Sequence, residues 1–382
     1  MSKRVESTLV CADRGNFIGY SLSLSHDGIV YGFGKQFLEA NGEEEEIVLP
    51  PKPITLLTDI KSISCGIAHA CFLDIDNSVF TIGNNRYGQL GVGRQSRIQS
   101  ISTPQKLELP RIKQISCGGF FTICLSENGD IFSFGYGESG VLGHEFFCDS
   151  HTPTKMDTLS NIDYVESGGN HVCCMTASGD IYSWGANNFG QLATGDYEEQ
   201  TKPFHNNLCP NNVIDIKVGD SHTLLLTSNN EVYSCGNNNN YQLGRNTGGY
   251  PYSSEFKKIT DLSEITRIEC GILHSMCIDI NNNFYVFGSN FSGQLGLGDT
   301  NNRNKPIKHP SLSNIIDISK GGWHTFVKTS NNEIYAFGNN KYSQLGIKTK
   351  HDNQITPIRV FEDNEDIWFS NINKSKAKSA RF

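Results

Sequence analysis

Short apolar runs alternate with clusters of turn-forming residues along almost the whole of this chain. The stretch "IKQISCGGFFTICLSENGDIFSFG", residues 112–135, shows the unit. Its first run, IKQIS, stops just before a glycine. The second, FTICL here and HTLLL or HVCCM elsewhere, is apolar at consecutive positions, as expected of a strand covered on both faces. Turn residues follow, at Asp27-Gly28, Asn128-Gly129, Ser178-Gly179, Asn229-Asn230, Asn281-Asn282 and Asn331-Asn332. These residue types tolerate positive φ and predict a tight two-residue hairpin. A third run, such as DIYSWG or EIYAFG, leads into a glycine-rich corner ending in GQLG. A fourth begins near Pro53, Pro104, Pro153, Pro203, Pro306 or Pro357, which predicts an edge strand, because proline cannot donate to a ladder.

The unit recurs near 16–42, 65–91, 117–143, 167–193, 218–244, 270–296 and 320–346. One column reads Tyr20, His69, Phe121, His171, His222, His274, His324, and a second reads Gly34, Gly83, Gly135, Gly185, Gly236, Gly288, Gly338. Both columns step by 49, 52, 50, 51, 52 and 50 residues, so the register is common to all copies. A four-stranded unit cannot bury both its faces alone, and seven of them predict an all-β fold, a seven-bladed β-propeller of four-stranded blades. WD repeats are shorter and end in Trp-Asp, and kelch repeats carry a different Gly-Gly/Trp pattern. The expected organisation is one propeller over 1–372 and a short basic tail, 373–382. Ring closure is expected from pairing of the N- and C-terminal segments, Ser7–Gly15 and Thr356–Ile372, within one blade.

Composition narrows the function classes. Thirty-eight glycines among 382 residues suit many tight turns. A net charge of −8 provides no general field for nucleic acid, whose non-specific binding rests on neutralising phosphates. The start, MSKRVESTLV, lacks the apolar run of a signal peptide, and no stretch approaches a membrane span. The expectation is an intracellular protein, cytoplasmic or nuclear, without membrane attachment, and a monomer. Its twelve cysteines lack metal-ligand spacing and are expected to be reduced and buried.

The string GxxH, NG, Y-x-F/W-G-x-N-x-x-GQLG, at a period near 50 and in seven copies, resembles the regulator-of-chromosome-condensation repeat. The resemblance covers about residues 5–370. It implies a seven-bladed propeller, and its founding member implies guanine-nucleotide exchange on the small GTPase Ran together with chromatin attachment. Ciliary GTPase regulators, ubiquitin-ligase modules and a plant ultraviolet-B photoreceptor share the repeat. The photoreceptor reading would need a tryptophan cluster, and this chain has only Trp184, Trp323 and Trp368. The founder's wedge insertion after a third strand has no counterpart, since eight residues separate Gly236 from Gly244 and every other copy agrees. The family's acidic position in Gly-Asp-Ser-His-Thr is present as Asp220.

Five histidines in one column, His69, His171, His222, His274 and His324, invite a metal ring, but positions spread round a ring do not converge on one ion. They and the glycine column are expected to be structural. No copy holds a nucleophile–base pair that the others lack, so no catalytic residue, metal or cofactor is expected. GQLG has no lysine and opens no helix, so it is not a phosphate loop. Function is expected where the copies differ, on the disc face carrying the GxxH turns and the corners. Candidate partner-binding residues there are Asp220, Trp323, Arg94, Arg97, Phe146, Phe147, Tyr197, Glu198, Glu199, Arg245, Tyr250 and Tyr252. Aromatic and arginine side chains dominate protein–protein hot spots. The partner expected is a protein, a Ran-like small GTPase; the alternatives are a non-exchanging adaptor and a chromatin-associated factor.

Overall fold

The computed structural model describes residues 9–12, 19–35, 47–93, 99–319 and 321–360. Seven antiparallel four-stranded sheets are each built from consecutive chain, over 9–53, 60–106, 112–155, 162–205, 213–258, 265–308 and 315–360. They form the ring of a seven-bladed β-propeller. Among the described residues no helix is long and apolar enough to cross a membrane.

The fifth blade shows how the runs become strands. Val213–Val218 lies innermost, then His222–Thr227, Val232–Asn237 and, outermost, Tyr252–Lys258. His222–Thr227 is buried throughout, which is why it reads as continuously apolar. Leu224 and Leu226 meet Ile265, Ile268 and Phe287 of the sixth blade. Leu225, on the other face of the same strand, meets Cys173 and Ile181 of the fourth. A single strand thus supplies core to both neighbours, each fully buried leucine contributing about 1.5–3 kcal/mol. The outer strand is half-buried or exposed, and the outer strands contain Pro53, Pro104, Pro153, Pro203, Pro306 and Pro357 as expected of edges.

The hairpin between second and third strands is one residue longer than expected. In the fifth blade Thr227 N–H donates to Glu231 O (3.0 Å) and Asn230 N–H to Thr227 O (2.9 Å). Only the second residue of each turn pair takes positive φ, as at Asn230 (61°), Asn282 (59°) and Gly129 (82°). That is a type I turn followed by a left-handed residue, the usual three-residue connection.

Of the two terminal segments, the N-terminal one supplies the closing strand among the described residues. Leu9–Ala12 pairs with Tyr20–Leu24 and fills the inner slot of the first blade. It lies against the inner strands of the seventh blade, Ile315–Ser319 and His324–Thr329. The first blade therefore has its four strands without a C-terminal contribution, and the latch segment past Val360 lies outside the described residues, as does the tail 373–382. The eleven cysteines whose side chains are described are free thiols, and nine of them are buried.

Candidate partner-binding face

Antiparallel pairing puts the GxxH turn and the GQLG corner at the same end of every blade: His222 sits opposite Gly236, and His324 opposite Gly338. The face so formed is held by two concentric sets of hydrogen bonds. Near the axis, the turns bond to one another through the backbone. Ile67 N–H donates to Gly119 O (2.9 Å), Gly119 N–H to Gly169 O (2.9 Å), and Asp220 N–H to Ile272 O (3.2 Å).

Further out, each histidine reaches the next blade. His69 Nε2 lies 3.0 Å from Thr122 Oγ1, His171 3.0 Å from Thr223, His222 3.0 Å from Ser275 Oγ, His274 3.0 Å from Thr325, and His324 3.1 Å from Ser21. Each hydroxyl donates in turn to the carbonyl of a corner glutamine: Thr122 to Gln89 (2.9 Å), Thr223 to Gln191 (2.9 Å), Ser275 to Gln242 (2.8 Å), Thr325 to Gln294 (2.8 Å) and Ser21 to Gln344 (2.8 Å). A hydroxyl has one proton, so having donated it to the carbonyl it accepts from an Nε2–H. Burial accordingly holds His274 at about 3, and burial together with His274 holds His324 at about 3. Each histidine of the column thus bonds to its own neighbouring blade, and among the described residues no three His, Cys, Asp or Glu side chains are grouped to hold a metal ion.

The two exceptions in that column are matched by exceptions in the next blade. Phe121 faces Val172, where a hydroxyl would otherwise stand, within one buried apolar cluster. Tyr20 is followed by Ala70 in the second blade, and its own hydroxyl donates to Gly66 O (3.1 Å) and His69 O (3.0 Å). The residue after the histidine, read one copy ahead, was the signal in the sequence for this contact.

Corners are built from buried amides. Asn238 Oδ1 accepts from Leu243 N–H (3.1 Å), and Gln242 Oε1 accepts from Asn240 N–H (2.9 Å). Gln191, Gln242, Gln294 and Gln344 are buried, so GQLG is internal scaffolding. Tyr241 departs from it, an exposed tyrosine at φ 66° in the place where Gly190 and Gly293 stand (both φ 77°).

The predicted partner residues fall into three groups. At the mouth of the axis, Asp220 Oδ2 accepts from Ser221 Oγ (3.0 Å), and its other oxygen lies over Gly169. Trp323 is half-buried there, and its indole Nε1, itself buried, makes no hydrogen bond. On the outer rim stand exposed Phe146 (65%), Phe147 (60%), Tyr197 (48%) and Tyr250 (73%), with Glu198 and Glu199. Neither phenylalanine folds back under its loop. Tyr252 is half-buried, with Phe189 at 5.5 Å and Tyr197 at 6.0 Å between ring centroids. Arg245 is the third group. Its guanidinium turns inward, Nε to Ser234 Oγ (3.0 Å) and Nη2 to Ser234 O (2.9 Å). His144, which also follows the last glycine of its corner, does the same with Ser133 (2.8 Å). Arg94 and Arg97 lie outside the described residues.

The structure adds a ring cluster that the sequence reading passed over. Tyr87 lies 5.5 Å from Phe120 and 4.7 Å from Tyr136, all three half-buried on this face. The Tyr136 hydroxyl donates to Glu138, which pushes the phenol up to about 12. Tyr87 and Phe189 share one corner position, and a search for aromatics down that column would have found both.

A family model of the regulator of chromosome condensation (RCC1) repeat matches residues 76–125, 128–175, 178–226, 229–278 and 281–327. The chain belongs to the RCC1 repeat family. Relatives include the ultraviolet-B receptor UVR8 of Arabidopsis thaliana, 30% identical, over 72% of this chain and 64% of that protein. The probable E3 ubiquitin-protein ligase HERC4 of Homo sapiens is 30% identical over 71% of this chain and 31% of its own. The chain thus spans less than two thirds of these relatives. Among solved structures, yeast RCC1 (Prp20) bound to Kap60 superposes with a TM-score of 0.78 at 20% identity, covering 94% of this chain and 89% of that one. Human WBSCR16 gives 0.73 at 24% identity, with 83% and 84% covered.

Proposed function

We propose that this chain is a non-catalytic binding propeller that takes a small GTPase of the Ran type on the GxxH face and promotes loss of its nucleotide. The observation that carries the reading is the division of that face into a repeated scaffold and a variable surface. Histidines, hydroxyls and corner amides are consumed in holding the ring, whereas Asp220, Trp323, Phe146, Phe147, Tyr197 and Tyr250 are peculiar to their copies. Among the relatives, a solved structure of Prp20p from Saccharomyces cerevisiae is described together with its binding to Gsp1p and histones.

Exchange of this kind breaks no covalent bond. The propeller would bind the empty GTPase better than the loaded one, shifting the nucleotide equilibrium by that difference in affinity. The test is release of fluorescent GDP from Ran and related GTPases, with and without the protein. Accelerated release that is lost on Asp220→Ala or Trp323→Ala supports exchange. Unchanged release from every GTPase, alongside stable complexes with other proteins through the same face, would leave an adaptor instead.

A further inference from the structure

The outer rim is strongly polarised in charge. The corner loops of the third and fourth blades, residues 136–149 and 186–199, contain Glu138, Glu145, Asp149, Asp196, Glu198 and Glu199 and no lysine or arginine. The corresponding loop of the seventh blade, 339–352, has Lys341, Lys348 and Lys350 against Asp352 alone. Among the described residues only Glu145 on the acidic side has a cationic partner, Lys202 at 2.8 Å. Three of the other carboxylates are steadied by neutral donors: Asp149 by Gly137 N–H (3.0 Å), Glu199 by Ser139 Oγ (2.9 Å), and Asp196 by Thr194 Oγ1 (2.6 Å). Their charge is therefore held in place without being neutralised.

The same two loops present the exposed Phe146, Phe147 and Tyr197. The loops abut: Glu145 N–H donates to Thr201 O (3.1 Å), and the Ser139–Glu199 bond crosses from one blade to the next. Large apolar rings standing in water among fixed, uncompensated carboxylates fit one kind of occupant. It must cover the rings with apolar groups and bring cations to the acids. Nucleic acid would cover the rings but is repelled by the charge.

We propose that the rim of the third and fourth blades is a docking surface for a basic protein segment, rich in lysine or arginine and carrying aliphatic or aromatic anchors. The proposal rests on the reading of the GxxH face as partner-binding, and it names the chemistry and the sector. Phe146, Phe147 and Tyr197 supply the apolar contact. Glu198, without a side-chain partner among the described residues, and Glu199, held by Ser139, supply the charge.

Fluorescence anisotropy with labelled short peptides tests this on the full chain. One peptide alternates arginine and leucine, a second arginine and serine, a third glutamate and leucine. The arginine–leucine peptide should bind best, and its affinity should fall with added salt. It should weaken about tenfold or more on Phe146→Ser with Phe147→Ser, and on Glu198→Lys with Glu199→Lys. Leu56→Ser with Ile75→Ser, on the opposite face, should leave it unchanged. Equal binding by the glutamate–leucine peptide, or rim variants that bind like the native protein, would overturn the proposal. If the loss appears with Trp323→Ala instead, the face binds but this sector does not carry it. Loss only with the Leu56 and Ile75 variant would overturn the reading of the face as well.

Discussion

His324 Nε2 lies 3.1 Å from Ser21 Oγ, although 303 residues separate the two along the chain. The seventh blade is joined to the first by the same histidine–hydroxyl–carbonyl contact that joins four other neighbouring pairs. Gln344 completes it, accepting from Ser21 at 2.8 Å. Closure of the ring therefore repeats the ordinary inter-blade bond. Phe33 of the first blade and Phe326 of the seventh, 6.2 Å apart edge to face, add the apolar half of the joint.

A double-mutant cycle should detect this bond. His324→Phe leaves Ser21 bonded to Gln344 and removes one contact, for about 1 kcal/mol. Ser21→Ala strands both the ring N–H and the Gln344 carbonyl in a buried site, for about 1–3 kcal/mol. The double variant recreates the apolar pairing seen at Phe121 and Val172, so the two losses should fall short of adding by about 1 kcal/mol. Urea unfolding of the four proteins measures it. Strict additivity would mean that the pair contributes no coupling.

Acid should loosen the ring through the same histidines. His274 and His324 are held at about 3 in the folded protein, below the ordinary value near 6.5. The unfolded chain then binds more protons than the folded one between those limits. Their stabilisation is complete above about pH 6.5, and it is lost as pH falls towards 3, by about 1.4 kcal/mol per pH unit for each ring. Unfolding midpoints at a series of pH values should show the slope, and the His324→Phe, Ser21→Ala double variant should show about half as much of it from this pair. A flat profile between pH 6 and pH 4 would contradict the neutral assignment.

Blade number and strand order were legible because a buried strand must be apolar on both faces and because glycine and asparagine mark the turns. Closure was less so. Nothing in the N-terminal run shows which of two termini fills an inner slot, since either offers a short apolar strand. The role of Arg245 was hidden for a different reason. An arginine after a corner glycine reads as surface, and only the proximity of Ser234, eleven positions back in the chain, turns it inward. The Tyr87–Phe120–Tyr136 cluster combines corner, turn and strand end, positions that no single column of the repeat displays together.

The glycine of GxxH should tolerate no side chain. A Cβ on Gly271 would lie 2.0 Å from His274 Cε1, and the ring cannot yield without breaking its bond to Thr325. Gly179 has positive φ (91°) but open space around it, so alanine there costs backbone strain alone, about 1–2 kcal/mol. Gly271→Ala should therefore lose about 2–4 kcal/mol, visibly more than Gly179→Ala. Thermal melting of the two variants decides it, and equal melting points would show that the turn can open to make room.

Arg245 and Tyr250 occupy one loop and should separate stability from binding. Arg245 is tied to Ser234 through two hydrogen bonds, and burial lowers the affinity of its guanidinium for a proton. Arg245→Ala removes a charged donor from a buried serine and should destabilise by about 1.5–3 kcal/mol. Tyr250 is 73% exposed, and its replacement by alanine should leave the melting temperature unchanged. If the face binds a partner as proposed, Tyr250→Ala should weaken that complex by about tenfold, as loss of an aromatic anchor does. Melting curves and affinities for the pair of variants give four numbers. A stable Arg245→Ala that fails to bind would reverse the two roles and return Arg245 to the surface.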